Sequence, residues 1–221
     1  MSSFKNIIVF GAHGKIGQHL IKLIAKNSSI QATAVVRNDE QAKAVSQSNV
    51  KTTNLTLDDA SVSDLTTAIK GHDAIILTVG SAGKNLLQVD LDGVVKTFEA
   101  SVAANVKRLV LVSALHAENR EFGAKSGLRD YYISKHYADR ILINEFGEKL
   151  QYTIIKPTQL TDDEPTGKIK VLKDLKEDIG KIPRADVAQV LLDVLNFEDT
   201  FGKSFNIASG NHAIDDAKTW T

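Results

Sequence analysis

The chain has 221 residues, 43% of them hydrophobic and 24% charged, with 27 basic residues against 27 acidic ones. This is the length of one α/β unit and the composition of a soluble globular protein, and the even charge balance gives no sign of a nucleic-acid or acidic-membrane partner. With no cysteines, disulfides and thiolate metal sites are excluded, and the histidines show no HExxH or other close ligand pairing, so no metal is expected.

In chain order, "KNIIVF" (5–10) reads as a strand. Its apolar run is much too short for a secretory signal or a membrane span, and a soluble cytoplasmic protein is expected. The run enters "GAHGKIG", which places Gly11, Gly14 and Gly17 between that strand and a helix near 15–27 with Ile16, Leu20, Leu23 and Ile24 among its apolar positions. A tight turn needs positive φ, a pyrophosphate needs the backbone close, and the helix must pack on the strand with no side chain between them. The helix N-terminus then offers unpaired N–H groups to the phosphates. The spacing is GxxGxxG rather than GxGxxG, and Gly11, His13, Gly14, Lys15, Ile16 and Gly17 form the candidate phosphate-binding set.

The second strand, "QATAVV" (31–36), runs into Arg37, where an NAD site usually carries an acid for the ribose 2′-hydroxyl. A guanidinium can hold a 2′-phosphate through two hydrogen bonds and stack on adenine, so NADP is the expected cofactor, with NAD possible. Helices near 39–47 and 61–70 open on Asn38 with Gln41 and on Ser61 with Asp64, both spaced like capping boxes, and flank a strand at 49–53. Ligands of open parallel sheets sit outside the carboxyl ends of the strands. Asn54 and Leu55 are therefore placed at the adenine, and Thr78, Val79 and Gly80, after the strand "HDAIILTV" (72–79), beside the cofactor.

A helix near 86–105 leads to "RLVLVS" (108–113), a strand ending in Ser113; "HAENREFGAK" (116–125) reads as a surface loop that could serve as a lid. The next helix, near 128–146, carries "RDYYISKHYADR". Tyr131 and Lys135 are four apart and share a stripe with Ala138 and Leu142, while Tyr132 points about 100° away. A free tyrosine ionises near pH 10, and a neighbouring ammonium and an oxidised nicotinamide both favour its phenolate. Tyr131 would protonate an alkoxide formed by hydride arrival, Ser113 would hydrogen-bond the same oxygen, and Lys135 would also hold the nicotinamide ribose. The other reading is a tyrosine packed at a helix start with the lysine lying over it. His136 and Asp139 read as surface groups.

"QYTIIK" (151–156) is the sixth strand. Beyond Pro157 the pattern becomes polar; a loop with one short strand is expected, and the charge-alternating "KIKVLKDLKEDIGK" (168–181) reads as a solvated face. A helix at 184–197 and a strand at 202–209 follow, before a polar tail. Alternating strands and helices imply a Rossmann-type, doubly wound, mostly parallel sheet in one domain, residues 1–221, with a small C-terminal extension on the substrate side. The substrate-side segments are placed at about 114–127 and 158–183.

"GAHGKIG", "VVRN", "VSAL", "YYISKHYAD", "YTIIKPTQL" and "IPRADVAQVLLDVL" stand in the order found in the atypical short-chain dehydrogenase/reductase family. The chain resembles its NAD(P)-binding, NmrA-like and flavin-reductase-like branch from about residue 4 to about 208, and within it small bacterial NAD(P)H-binding oxidoreductases or sugar epimerases. The resemblance implies that Ser113, Tyr131 and Lys135 are the active-site residues and that Pro157 and Thr158 lie along the nicotinamide. It also carries two departures: the interval from Ser113 to Tyr131 has its own length, and the region after Pro157 is too short for the substrate domain of larger sugar-nucleotide epimerases. Three activities fit these residues: reduction of a small carbonyl or quinone with Tyr131 as acid, direct hydride transfer to a flavin or quinone, and a non-catalytic NADP-sensing regulator. A small-molecule substrate and a monomer or homodimer are expected.

Overall fold

The computed structural model describes residues 4–175 and 179–221. Its first strand, β1 (Asn6–Phe10), explains the architecture: Ile7 and Val9 join one buried cluster while Ile8 and Phe10 join another. A strand with apolar residues on both sides must be covered on both, as in a parallel α/β sheet. The succession is α1 (Lys15–Ala25), β2 (Gln31–Val36), α2 (Asp39–Val45), β3 (Val50–Asn54), α3 (Val62–Ile69) and β4 (Ala74–Leu77). It continues through a π-helical stretch (Leu86–Gly93) into α4 (Val94–Ala103), then β5 (Arg108–Val112), α5 (Arg120–Lys125), α6 (Arg129–Phe146) and β6 (Gln151–Pro157). The last part holds β7 (Gln159–Thr161), β8 (Lys168–Val171), β9 (Lys181–Pro183), α7 (Arg184–Asp193), β10 (Lys203–Ser209) and β11 (His212–Ala213).

The main sheet has nine strands in the order β11-β8-β10-β6-β5-β4-β1-β2-β3. From β3 to β10 neighbours are parallel; β8 runs antiparallel to β10, and β11 to β8. Leu20, Ile21 and Ile24 of α1 and Val187, Val190 and Leu191 of α7 cover one face. Leu65 and Ile69 of α3, Phe98 of α4 and Leu142 of α6 cover the other. The direction of winding reverses between β1 and β4, and a crevice opens there at the carboxyl ends of the strands. Among the described residues no helix is long and apolar enough to cross a membrane.

Both expected caps form. Ser61 and Asp64 make a complete capping box on α3, whereas on α2 Asn38 accepts from the Gln41 N–H and the Gln41 side chain turns to the N–H of Arg37. Five expectations need correction. The helix expected at 86–105 opens with π geometry, and Gly93 closes it where a Cβ would lie 2.8 Å from that of Leu57. The loop at 116–125 contains α5, whose N-cap Asn119 accepts from the Phe122 N–H. The segment after Pro157 forms three short strands instead of one: β7 and β9 pair with each other, and β8 extends the main sheet. Part of the expected solvated face is thereby buried, at Ile169 and Leu172, while residues 176–178 lie outside the described residues. Finally, the polar tail is anchored: Ile214 and Trp220 are buried, with the Trp220 ring 5.3 Å from that of Phe205.

Candidate active site

The glycine turn is built by contacts that forbid side chains. Gly11 has φ +78°, and a Cβ there would lie 2.7 Å from the Thr78 carbonyl oxygen; at Gly17 a Cβ would lie 2.3 Å from that of Gly11. Gly14 caps α1 in an extended conformation with its N–H donating to the Gly11 oxygen at 2.9 Å. The first turn of α1 has no acidic residue. A cleft of about 360 Å³ lies over this turn, lined by Gly11, His13, Gly14, Arg37, Leu55, Thr78, Val79 and Gly80 of the expected set. The absent Cβ at Gly14, the helix N-terminus and the Arg37 cation suit an anionic, elongated ligand such as a dinucleotide.

Other expected cofactor residues stand outside this cleft. Lys15 turns to Asp162 at 3.1 Å, Ile16 packs against the core, and Gly17 is buried beneath the turn. Asn54 donates to the Asp39 carboxylate at 2.6 Å, and Thr158 continues β6 by donating its N–H to Ile207. Pro157 is likewise buried at the end of β6. Sequence reasoning missed Gln41, Asp58, Lys84 and Asn85, which also line the cleft. Asn85 donates to Asp58 at 3.2 Å, joining the loops after β3 and β4 at the rim. The available signal was the polar stretch "SAGKN" beyond a carboxyl strand end, where ligand-facing loops belong.

Lys135 and Tyr131 stand outside the cleft lining, but the Lys135 ammonium reaches the cleft wall, donating to the Val79 carbonyl oxygen at 3.2 Å, and stands 4.0 Å from Asp90 Oδ1. It is 5.8 Å from the centre of the Tyr131 ring, so the helical stripe does bring the pair together. Burial pulls the Lys135 pKa down, against the opposing pull of Asp90 and Asp139. For Tyr131, burial first, then Tyr132, Asp90 and Asp139, push the phenol of the chain itself above the ordinary range.

Ser113 lies at the carboxyl end of β5, but its hydroxyl donates to Asp139 Oδ2 at 2.9 Å. Asp139 also faces Lys156 at 3.2 Å, and Lys156 donates to Glu118 at 2.8 Å. Asp139 and His136 are thus not surface groups; they are 4% and 8% exposed, Asp139 because it faces Ser113 and Lys156 at the sheet and His136 because it lies against the Ala117 loop and α5. Burial raises the Asp139 carboxyl pKa, opposed by Lys156 and the Ser113 hydrogen bond.

The chain matches the family described as NAD(P)H-binding over residues 11–198. A Bacillus subtilis protein, named as the uncharacterized sugar epimerase YhfK, is 38% identical over 215 residues, spanning 96% of this chain and 97% of its own. The crystal structure of the oxidoreductase ylbE from Lactococcus lactis has a TM-score of 0.86 at 33% identity, covering 96% of this chain and 94% of that one. A short-chain dehydrogenase/reductase of Veillonella parvula, crystallised in complex with NADP, shares the fold at 17% identity and a TM-score of 0.76, over 96% and 99% of the two chains. With its glycine turn at the switch point of a doubly wound sheet, the chain belongs to the NAD(P)H-binding family of Rossmann-fold proteins.

Proposed function

We propose that the protein is an NADP(H)-dependent oxidoreductase that reduces a small carbonyl or quinone compound, with Tyr131 as the proton donor. One observation carries this reading: the buried Lys135 ammonium reaches the Val79 carbonyl of the cleft wall at 3.2 Å and lies 5.8 Å from the centre of the Tyr131 ring. Bound NADPH supplies the hydride. Gly11, Gly14 and the first turn of α1 hold the pyrophosphate, and Arg37 at the rim selects the 2′-phosphate. With its phenol pKa raised, Tyr131 is protonated at neutral pH and enters turnover as a donor. Lys135 stabilises the phenolate left when that proton moves to the substrate oxygen. Segments 114–127 and 158–183 supply the substrate side.

A second reading, direct hydride transfer to a flavin or quinone without a tyrosine acid, is favoured by the Ser113 hydroxyl being engaged by Asp139. Tyr131→Phe separates the two. Carbonyl reduction should fall by roughly 10²–10⁴ with NADPH affinity unchanged; retained reduction of flavin would support the second. Titration of nicotinamide fluorescence with NADPH and NADH tests Arg37: the NADPH preference should disappear in Arg37→Ala. An unchanged preference would remove Arg37 from the phosphate site, and tight binding without turnover on carbonyls, quinones and flavins would leave a non-catalytic sensor.

A further inference from the structure

A second cavity, of about 80 Å³, lies between α5 and α6 and shares no lining residue with the dinucleotide cleft. Its walls include Asn119, Arg120, Arg129, Tyr132 and His136, and no carboxylate. His136 is the buried polar member, 8% exposed. Its Nδ1 lies 2.9 Å from the Ala117 carbonyl oxygen, which can only accept, so Nδ1 carries a hydrogen. That leaves Nε2 buried with no hydrogen-bond partner among the described residues. An orphaned buried nitrogen is uncommon enough to need a reason, and an absent ligand is one.

The surrounding charges indicate what would satisfy it. The Arg120 guanidinium is held 5.7 Å from the centre of the Tyr137 ring, and Arg129 begins α6. Glu121, the carboxylate of α5, is engaged by Lys125 at 2.6 Å. Gly123 lets α5 close on α6, since a Cβ there would lie 2.8 Å from that of Tyr132. Two guanidinium groups around a space this small suit an oxyanion, which guanidinium grips through paired hydrogen bonds, while an acid O–H of the same group can donate to Nε2.

We propose that the cavity between α5 and α6 binds a carboxylate or phosphate group, with His136 at its floor and Arg120 and Arg129 at its mouth. The site does not depend on the dinucleotide chemistry. Protein labelled with ¹⁵N at histidine, titrated with sodium acetate and separately with sodium phosphate at ionic strength matched with sodium chloride, tests it through the His136 Nε2 resonance. A saturable displacement is expected, with the midpoint about tenfold higher in Arg129→Gln and in Arg120→Gln, the effect of losing one charge-assisted contact. NADPH affinity should be unchanged in both variants. Saturation by acetate alone identifies a carboxylate site, by phosphate alone a phosphate site, and by both a general oxyanion site. No saturable displacement by either, or an unaltered midpoint in either variant, overturns the proposal.

Discussion

Gly17 and Tyr131 illustrate how far a single residue determines this site. The atoms that a Cβ at Gly17 would strike are backbone, the Gly11 oxygen at 2.3 Å and the Ala12 oxygen at 2.7 Å, so no flexible side chain can yield. In Gly17→Ala, α1 must shift off the turn. Overpacking of this kind should lower the unfolding free energy by about 1–3 kcal/mol and weaken NADPH binding together with it, measured by urea unfolding and fluorescence titration. Stability loss without loss of affinity would show that the turn tolerates the shift. Tyr131 makes its own claim on pH. An unfolded tyrosine ionises near pH 10 while the folded phenol is held higher, so above that pH the unfolded chain binds fewer protons and stability falls as pH rises. Tyr132 and Tyr152 are pushed the same way by burial, so Tyr131→Phe should retain part of the stability lost between about pH 9 and 11 without abolishing the decline. The glycines and the Tyr131/Lys135 spacing were legible in sequence because their reasons are local. Asp139 was not, since a lone acid on a helix discloses its burial only when Ser113 and Lys156 arrive from distant strands.

Elements followed the sequence where one period governed them. The strands flanking the switch point could be read because both faces of each are apolar, and α3 because Ser61 and Asp64 satisfy its first N–H groups reciprocally. Ser61→Ala should cost about 1 kcal/mol in urea unfolding, the usual effect of removing an N-cap oxygen, with NADPH affinity unchanged because the cap lies outside the cleft lining. A negligible cost would mean that Asp64 alone sustains the cap. Elements that take their shape from a partner resisted reading. The strand β8 is a polar segment that becomes a strand by pairing with β10, and the π-helical stretch is fixed by Asp90 accepting from the Ser81 N–H and by Gly93 fitting against Leu57. Neither condition has a sequence period. This is also why the substrate side was the least legible part of the candidate site.

At the scale of the whole molecule, one buried cation joins the sheet to the C-terminal part of the chain. Arg108 begins β5 and is 1% exposed. Its guanidinium donates to the carbonyl oxygens of Gln151 at 2.7 Å and Leu195 at 3.1 Å, and also to Val194, while the Phe201 ring lies 4.2 Å away. Burial draws its pKa down to about 9, so it remains charged at neutral pH. These carbonyls end the α7 region and begin β6; with Arg108 removed, those of Leu195 and Gln151 would lose this donor, while that of Val194 would keep the Phe197 N–H at 3.3 Å. Arg108→Ala should therefore lower the unfolding free energy by about 3–5 kcal/mol, from hydrogen bonds to a charged group lost at about 1.5–3 kcal/mol each and from the cavity left by the truncated side chain. Arg108→Met, which refills the volume but supplies no donor, should recover only part of that loss. The site should be spared. Arg108 lies at the amino end of β5, whereas the cleft and Ser113 lie at the carboxyl ends of the strands, so the folded fraction of either variant should bind NADPH with wild-type affinity. Full recovery in Arg108→Met would mean that packing, rather than the hydrogen bonds, joins the two parts, and a loss of affinity in the folded fraction would mean that this end of the sheet sets the geometry of the other.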